Sequence, residues 1–296
     1  MQLLKIAAKA LAIVLLLAAC QPTTIQPPPS SPPATTAQVA PKAPTRVVAL
    51  TSLASDIIYR LDRRKLVGIP GSRLLRQNPE LAKIPQVSEG LTPPNLEKIV
   101  ALKPDLVIGA TGFHDRVLET LKNSGIRTLT TQVDSWRSLE NLTRTLASEI
   151  KADPAPLLQS YQSFLTVKSP HPESTLVLVS YQPILAPNKT SWAGDLLGKF
   201  QINNIAANLQ GESLQRGYVT LSPEKVLAAN PQILILVDVG DGTVDKLKAA
   251  PFWNKLNAVA NNRVYVFDYY GLVNPGSIDA IAKACQQLQQ ILSPPN

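Results

Sequence analysis

Arg73 and Arg216 carry fixed positive charge on planar donor forks that suit carboxylate or chelate oxygens. Trp136, Tyr181, Trp192, Tyr218, Tyr269 and Tyr270 make up six of the ten Trp and Tyr residues. They are read as loop residues rather than parts of core elements, and aromatic walls of this kind suit a large flat or catecholate ligand. Ser52, Phe113 and His114 follow apolar runs and join the same set. Taken singly, each reads equally as a solvated loop residue or a packing residue. His114 is an imidazole able to ligate haem iron. A lone histidine is more often structural, and His171, in a Pro-rich turn, is the only other one. A zinc or manganese site needs several His and acidic ligands together, so no metal site and no resident cofactor is expected. The chain also lacks a Gly-x-Ser-x-Gly elbow, a P-loop and a Cys-x-x-Cys pair, which removes the common hydrolase, nucleotide and redox chemistries.

The residues that must position this set form α/β alternation. Strand-like runs occur at 46–50, 66–69, 106–109 and 128–131, with helical patterns at 55–61, 95–102 and 115–124. A second series has strands at 175–179, 233–237 and 263–267 and helices near 195–200, 224–229, 245–250 and 277–292. The apolar runs are continuous, as in strands covered on both faces. Two helical stretches, 138–150 and 155–168, lie between the series, and Pro154 suits the first turn of the second. In open α/β sheets ligands bind beyond the carboxyl ends of strands, which is where the loop set above falls.

The halves share a repeat. Glu97-Lys-Ile-Val-Ala-Leu-Lys-Pro-Asp-Leu-Val-Ile108 aligns with Glu224-Lys-Val-Leu-Ala-Ala-Asn-Pro-Gln-Ile-Leu-Ile235, with five of twelve positions identical. Each copy has a polar cap, Asn95 or Ser222, a short helix, and a proline, Pro104 or Pro231, that stops it before a buried strand. Glu97 and Glu224 therefore occupy equivalent first turns, where each complements the helix dipole by roughly 0.3–1 kcal/mol.

The N-terminal segment reads as export machinery. Lys5 and Lys9 precede the apolar run Ala10–Ala18, too short to span a bilayer, and Leu17-Ala18-Ala19-Cys20 follows as a small-residue cleavage pattern. The tetrapeptide resembles the bacterial lipobox, which makes Cys20 the lipidated first mature residue. Cys285 then has no disulfide partner and is expected to be a buried or half-buried thiol. Gln21–Pro44 is rich in Pro, Thr, Ser, Ala and Gln and reads as an extended, semi-stiff tether. The net charge is +8, of which Lys5 and Lys9 supply two. This mild basicity suits anionic ligands or an anionic membrane surface. Nucleic acid is not indicated, because no Lys/Arg run with interleaved aromatics is present.

The strand–loop–helix Arg46–Asp56, the blocks Asn95–Ile108 and Leu221–Pro231, and the ending Pro251–Val259 with Arg263-Val-Tyr265 together resemble the extracytoplasmic substrate-binding lipoproteins of ABC importers that carry iron siderophores, haem and vitamin B12. The resemblance spans nearly all of 45–296. It implies two Rossmann-like α/β lobes joined by a connecting helix, with a ligand cleft between them. The layout is then a signal peptide at 1–19, a tether at 20–44, an N-terminal lobe at 45–150, a connecting helix within 151–170 and a C-terminal lobe at 171–296. It further implies docking of Glu97 and Glu224 onto arginines of a permease dimer with its ATPase subunits, a monomeric binding protein, and lipid anchorage on the outer side of the cell membrane. The stretch 151–172 departs from the family in being short and proline-bearing. Vitamin B12 members carry tryptophans where this chain has Leu91 and Ala110, which puts a ferric siderophore ahead of cobalamin and haem as cargo. A chelatase or metal-cluster enzyme on the same fold is the remote alternative, and a structural lipoprotein is the second rival.

Overall fold

The computed structural model describes residues 43–89, 92–166, 171–210, 213 and 215–292. The first half runs β1 (Val47–Ala49), α1 (Ser52–Asp62), β2 (Leu66–Gly68), α2 (Pro79–Ala82), α3 (Leu96–Ala101), β3 (Leu106–Ala110), α4 (Asp115–Asn123) and β4 (Thr128–Thr131). Two helices follow, α5 (Trp136–Ile150) and α6 (Ala155–Phe164). The second half contains β5 (His171–Leu178), β6 (Ser180–Tyr181), β7 (Ile184–Pro187), α7 (Trp192–Lys199), β8 (Ile202–Asn204) and β9 (Tyr218–Leu221). It continues with α8 (Pro223–Ala229), β10 (Ile233–Asp238), α9 (Thr243–Lys248), α10 (Asn257–Ala260), β11 (Val264–Asp268), α11 (Tyr269–Leu272) and α12 (Ile278–Ile291).

Two four-stranded parallel sheets result, ordered β2-β1-β3-β4 and β11-β10-β5-β8. This is the two-lobed α/β architecture read from the sequence. Side chains alternate across each strand. In the first sheet Val47, Ala49, Leu106 and Ile108 face the core shared with the second half, while Val48, Leu50 and Val107 face a smaller cluster with Ile99, Leu118 and Leu121. In the second sheet Leu176, Leu234 and Leu236 face a third cluster with Val226, Leu247 and Phe252. Burial on both faces is why the strands read as unbroken apolar runs.

The sequence reading missed the small antiparallel sheet β6-β7-β9, whose strands have two to four residues and carry too short a periodic signal. The repeat, by contrast, extends to backbone conformation. Lys103 and Asn230, each immediately before the proline, are both left-handed, with φ of 45° and 35°. Such a residue ends a helix at its C-terminal side. Arg46 also donates from Nε and Nη2 to the Leu102 carbonyl at the end of α3, at 3.0 and 2.7 Å.

The largest cluster crosses from one half to the other through α1, α5, α6, α7 and α12. In it the hydroxyls of Thr143 and Tyr161 lie 2.9 Å apart, and burial pushes the Tyr161 phenol up to about 12. Cys285 on α12 is buried in the same cluster, and loss of water around the thiolate pushes its thiol up to about 12. The reactive species is the thiolate. Peptide mapping after iodoacetamide treatment is therefore expected to leave Cys285 unlabelled in the native protein and labelled in denaturant; labelling at equal rates in both would contradict this burial.

Candidate functional site

The carboxyl ends of β2 and β11 feed the walls of a cavity of about 270 Å³. One wall comes from the first half, with Asp56 on α1 and the segment Arg73–Leu81; the other comes from Asp268, Tyr270 and the start of α12 with Asp279 and Lys283. Two glycines let these walls meet. Gly271, at φ +96°, turns the chain out of Tyr269–Tyr270, and a Cβ there would lie 2.1 Å from the Ala280 carbonyl oxygen. A Cβ on Gly276 would lie 2.7 Å from Leu74 Cδ2 and 2.8 Å from Tyr270 Cδ1, so the approach of the two walls requires its absence. The Asp268 carboxylate accepts the Tyr270 N–H at 2.9 Å, and the Tyr269 and Tyr270 rings meet edge to face with centroids 5.4 Å apart.

The charges of the cavity are partly committed. Asp56 is 3% exposed and accepts the Ile278 N–H at 2.7 Å and the Arg60 Nε–H at 2.9 Å. Burial holds its carboxyl above the ordinary carboxylate value, and the Arg60 guanidinium offsets only part of that rise. Arg60 also pairs with Asp279 at 2.7 Å. Arg60 thus neutralises two of the three lining aspartates and ties α1 to α12. Arg73 and Lys283 are left facing the cavity against Asp268.

Of the residues nominated from the sequence, Arg73 and Tyr270 line this cavity and Tyr269 adjoins it. The loop placement of all six aromatics requires correction: Tyr181 lies in β6, and Tyr269 and Tyr270 begin α11. Trp136, Trp192 and Tyr218 are not loop residues: they begin α5, α7 and β9 and are buried. The Trp136 and Trp192 rings stack with centroids 6.1 Å apart and planes 18° apart. The Trp136 backbone N–H donates to Asp195 on α7 at 2.7 Å, and Trp192 Nε1 donates to the Gly271 carbonyl at 2.8 Å. With the Trp192 indole N–H satisfied and both residues buried, the two indoles hold the halves together. Burial pushes the Tyr218 phenol far above its ordinary value.

His114 is half-buried, and its Nδ1 accepts the Ala110 N–H at 3.0 Å. That bond puts the proton on Nε2, which then has no lone pair for iron. Burial lowers its pKa and keeps the ring neutral, so it acts as the brace of the β3–α4 turn. The same turn displays Phe113, 87% exposed. Ser52 opens α1, Tyr181 is half-buried in the antiparallel sheet and Arg216 is exposed; none of the three lines the cavity. Cys20 and Leu91 lie outside the described residues. The sequence reading passed over Asp56, Asp268, Asp279 and Lys283. The spacing of Asp56 and Arg60, four apart on one helix, was the signal available for one of them.

Glu97 and Glu224 are both exposed at the second position of helices that lead through short links into inner strands, β3 and β10. Asn95 accepts the Lys98 N–H and Ser222 the Lys225 N–H, so both helices are capped alike. A hydrogen bond from Ser222 holds the Glu224 carboxyl below the usual carboxylate range. Among the described residues no helix is long and apolar enough to cross a membrane, and no group of three His, Cys, Asp or Glu is placed to hold a metal ion.

Residues 47–270 match the periplasmic binding protein family. An uncharacterized ABC transporter substrate-binding lipoprotein of Bacillus subtilis, YvrC, is 27% identical over 246 residues, covering 77% of this chain and 74% of its own. A vitamin B12-binding protein of Vibrio parahaemolyticus is 25% identical over 260 residues, covering 83% and 90%. Among solved structures, the periplasmic haem-binding protein HutB of Vibrio cholerae superposes with a TM-score of 0.69 at 19% identity, covering 84% of this chain and 99% of its own, which is a likeness of fold.

Proposed function

The chain belongs to the periplasmic binding protein family and is the substrate-binding component of an importer of the vitamin B12, iron and haem type; we propose that its cargo is a ferric siderophore or a related metal chelate. The observation that carries this reading is the cavity joining the two halves, lined by Arg73 from one wall and by Tyr270 and Lys283 from the other, while Arg60 neutralises Asp56 and Asp279. Cations without an ion pair among the described residues, lining a cavity with a phenol, suit an anionic oxygen-rich chelate. At about 270 Å³ the cavity lies near the lower end of small-molecule pockets, so it takes one arm or face of such a ligand. Cobalamin is the second reading, supported by the relative from Vibrio parahaemolyticus.

Transport follows from the same reading. The protein is held outside the cytoplasm by lipid on Cys20, and Glu97 and Glu224 present the loaded halves to the two permease subunits of an ABC importer. Titration of intrinsic Trp emission with a ferric hydroxamate, a ferric catecholate, haem and cyanocobalamin is expected to give saturable quenching with a ferric chelate. Arg73→Ala and Tyr270→Ala are each expected to weaken it by about tenfold, or ~1.4 kcal/mol. Saturation with cyanocobalamin alone would transfer the assignment to cobalamin. Quenching that the two variants leave intact would remove the cavity from the site.

A further inference from the structure

In a parallel sheet every strand enters at one edge and leaves at the other. The cavity belongs to the leaving edge, and the entering edge of the first sheet is basic. Arg46, Lys65 and Arg127 immediately precede β1, β2 and β4, and the link from α3 into β3 carries Lys103. Arg63 and Arg64 lie beside Lys65, whose Nζ donates to the Ile150 carbonyl and so brings the end of α5, with Lys151, to the same edge. Four carboxylates stand among these seven cations, and each is engaged: Asp62 with Arg64, Asp105 with the backbone N–H groups of Thr45 and Arg46, Glu149 with Arg127, and Asp153 with the Ala155 N–H. Arg63, Lys103 and Lys151 are exposed and have no ion pair among the described residues. Cations at helix C-termini complement the dipole, and α1, α3 and α5 all end here. That alone does not explain the array, because the second half repeats the arrangement without it. There β8 and β10 are entered from Gln201 and Gln232, the position matching Lys103 is Asn230, and Arg263 before β11 is paired with Glu173 at 3.4 Å.

The same edge is where the chain enters the fold. Thr45 gives its N–H and its hydroxyl to Asp105 at 2.7 and 3.0 Å, and Arg46 gives its N–H at 2.9 Å. The segment read from the sequence as a lipid-held tether is thus joined to the body among these cations. We infer that the amino edge of the first sheet rests on the anionic headgroups of the bilayer that holds the tether. The inference rests on the lipid-anchored reading and deepens it by giving the anchored body an orientation. The cations are spread along a four-stranded edge, a width of about 14 Å, which fits an extended anionic surface better than one small anion. A tether joined at this edge keeps it within reach of the bilayer, so weak contacts act at high effective concentration. Strand β3 runs five residues from edge to edge, about 17 Å, and the cavity lies beyond the carboxyl ends. This posture turns the cavity toward the external medium, where cargo is loaded. It is reversible, because the attraction is electrostatic and screened by salt.

The test uses the full chain purified with its native N-terminus and carrying one dye. The dye sits on Ser148→Cys, exposed in the last turn of α5 at the amino edge, or on Thr111→Cys, exposed just past β3 at the opposite edge; buried Cys285 stays unlabelled. Energy transfer to an acceptor lipid is read on vesicles of phosphatidylcholine alone and with about 30% phosphatidylglycerol. The expected result is about twofold greater transfer from 148 than from 111 on the anionic vesicles, and equal transfer on the neutral ones and in high salt. Arg63→Gln with Lys103→Asn and Lys151→Asn is expected to abolish the difference at an unchanged melting temperature. Lys246→Gln with Lys248→Gln and Lys255→Gln, which removes the same charge from exposed positions of the second half, is expected to keep it. Equal transfer from both positions on anionic vesicles, with the chain still attached to neutral ones, would overturn the inference and leave the anchorage reading standing. Attachment to neither kind of vesicle would remove both. Equal loss in the two triple variants would reduce the effect to net charge and overturn the assigned edge. A response at 148 to a single-stranded oligonucleotide and none to phosphatidylglycerol would overturn the bilayer as its partner.

Discussion

Replacing Trp136 by alanine is expected to destabilise the protein by about 3–5 kcal/mol, within the range for deleting a buried aromatic side chain. Trp136 is 3% exposed, stacks on Trp192 and meets the Tyr161 ring edge-on with centroids 6.1 Å apart. Aromatic pairs of this geometry add roughly 0.5–1.5 kcal/mol beyond area burial. The cavity left behind would open at the junction of α5, α6 and α7, where the core continues from one sheet to the other. For a chain of this size the melting temperature is expected to fall by roughly 10 °C. Because the cluster is shared, thermal unfolding of Trp136→Ala should remain one transition by circular dichroism and calorimetry. Two resolved transitions would show that the halves unfold separately and that the stack does not couple them. Trp136→Phe should recover part of the loss, since a phenyl ring keeps some of the contact with Trp192 and Tyr161.

The joint substitution Glu97→Ala with Glu224→Ala is expected to lower uptake of the loaded cargo by roughly 100-fold while leaving cargo affinity within about twofold. Charge-assisted contacts are each worth about 1.5–3 kcal/mol, so losing two at the lower end of that range gives an effect of this order. Neither glutamate lines the cavity, and both side chains are exposed, so neither substitution disturbs the ligand walls or the core. The two residues lie in different halves and share no contact, so the single substitutions should add. The check pairs a fluorescence titration of the double variant with an uptake assay in cells or proteoliposomes. Undiminished uptake would contradict docking through these residues. Loss of cargo affinity would mean that they act on the ligand instead. Loss of helix-dipole complementarity alone, roughly 0.3–1 kcal/mol per site, would appear as a small stability change with normal uptake.

Much of the frame was legible in the residues alone. The doubled Glu-to-Ile block specified two equivalent helix–strand units, because a capping residue, a first-turn carboxylate and a helix-stopping proline each act within a few residues of chain. The unbroken apolar runs marked strands covered on both faces, since burial on both sides leaves no polar alternate positions. The exposure of Glu97 and Glu224 followed from the same local logic.

The ligand site was legible only in part. Arg73 and Tyr270 were reachable by asking which residues follow strands. The same question gathered Trp136, and the reading of polar loops gathered Trp192 and Tyr218, all three of which the folded chain buries. A residue just past a strand can turn toward the cleft or toward the other half, and local sequence does not carry the difference. It depends on contacts between residues far apart in the chain: the Trp136 N–H with Asp195, the Trp192 indole with Gly271, and Asp56 with the Ile278 N–H across 222 positions. Short-range patterning therefore determined the elements, their caps and the paired acidic turns of this protein. Only the tertiary structure decided which aromatics were spent on joining the halves and which charges line the cavity without an ion pair among the described residues, because burial and ion pairing are settled by partners that the chain brings together from a distance.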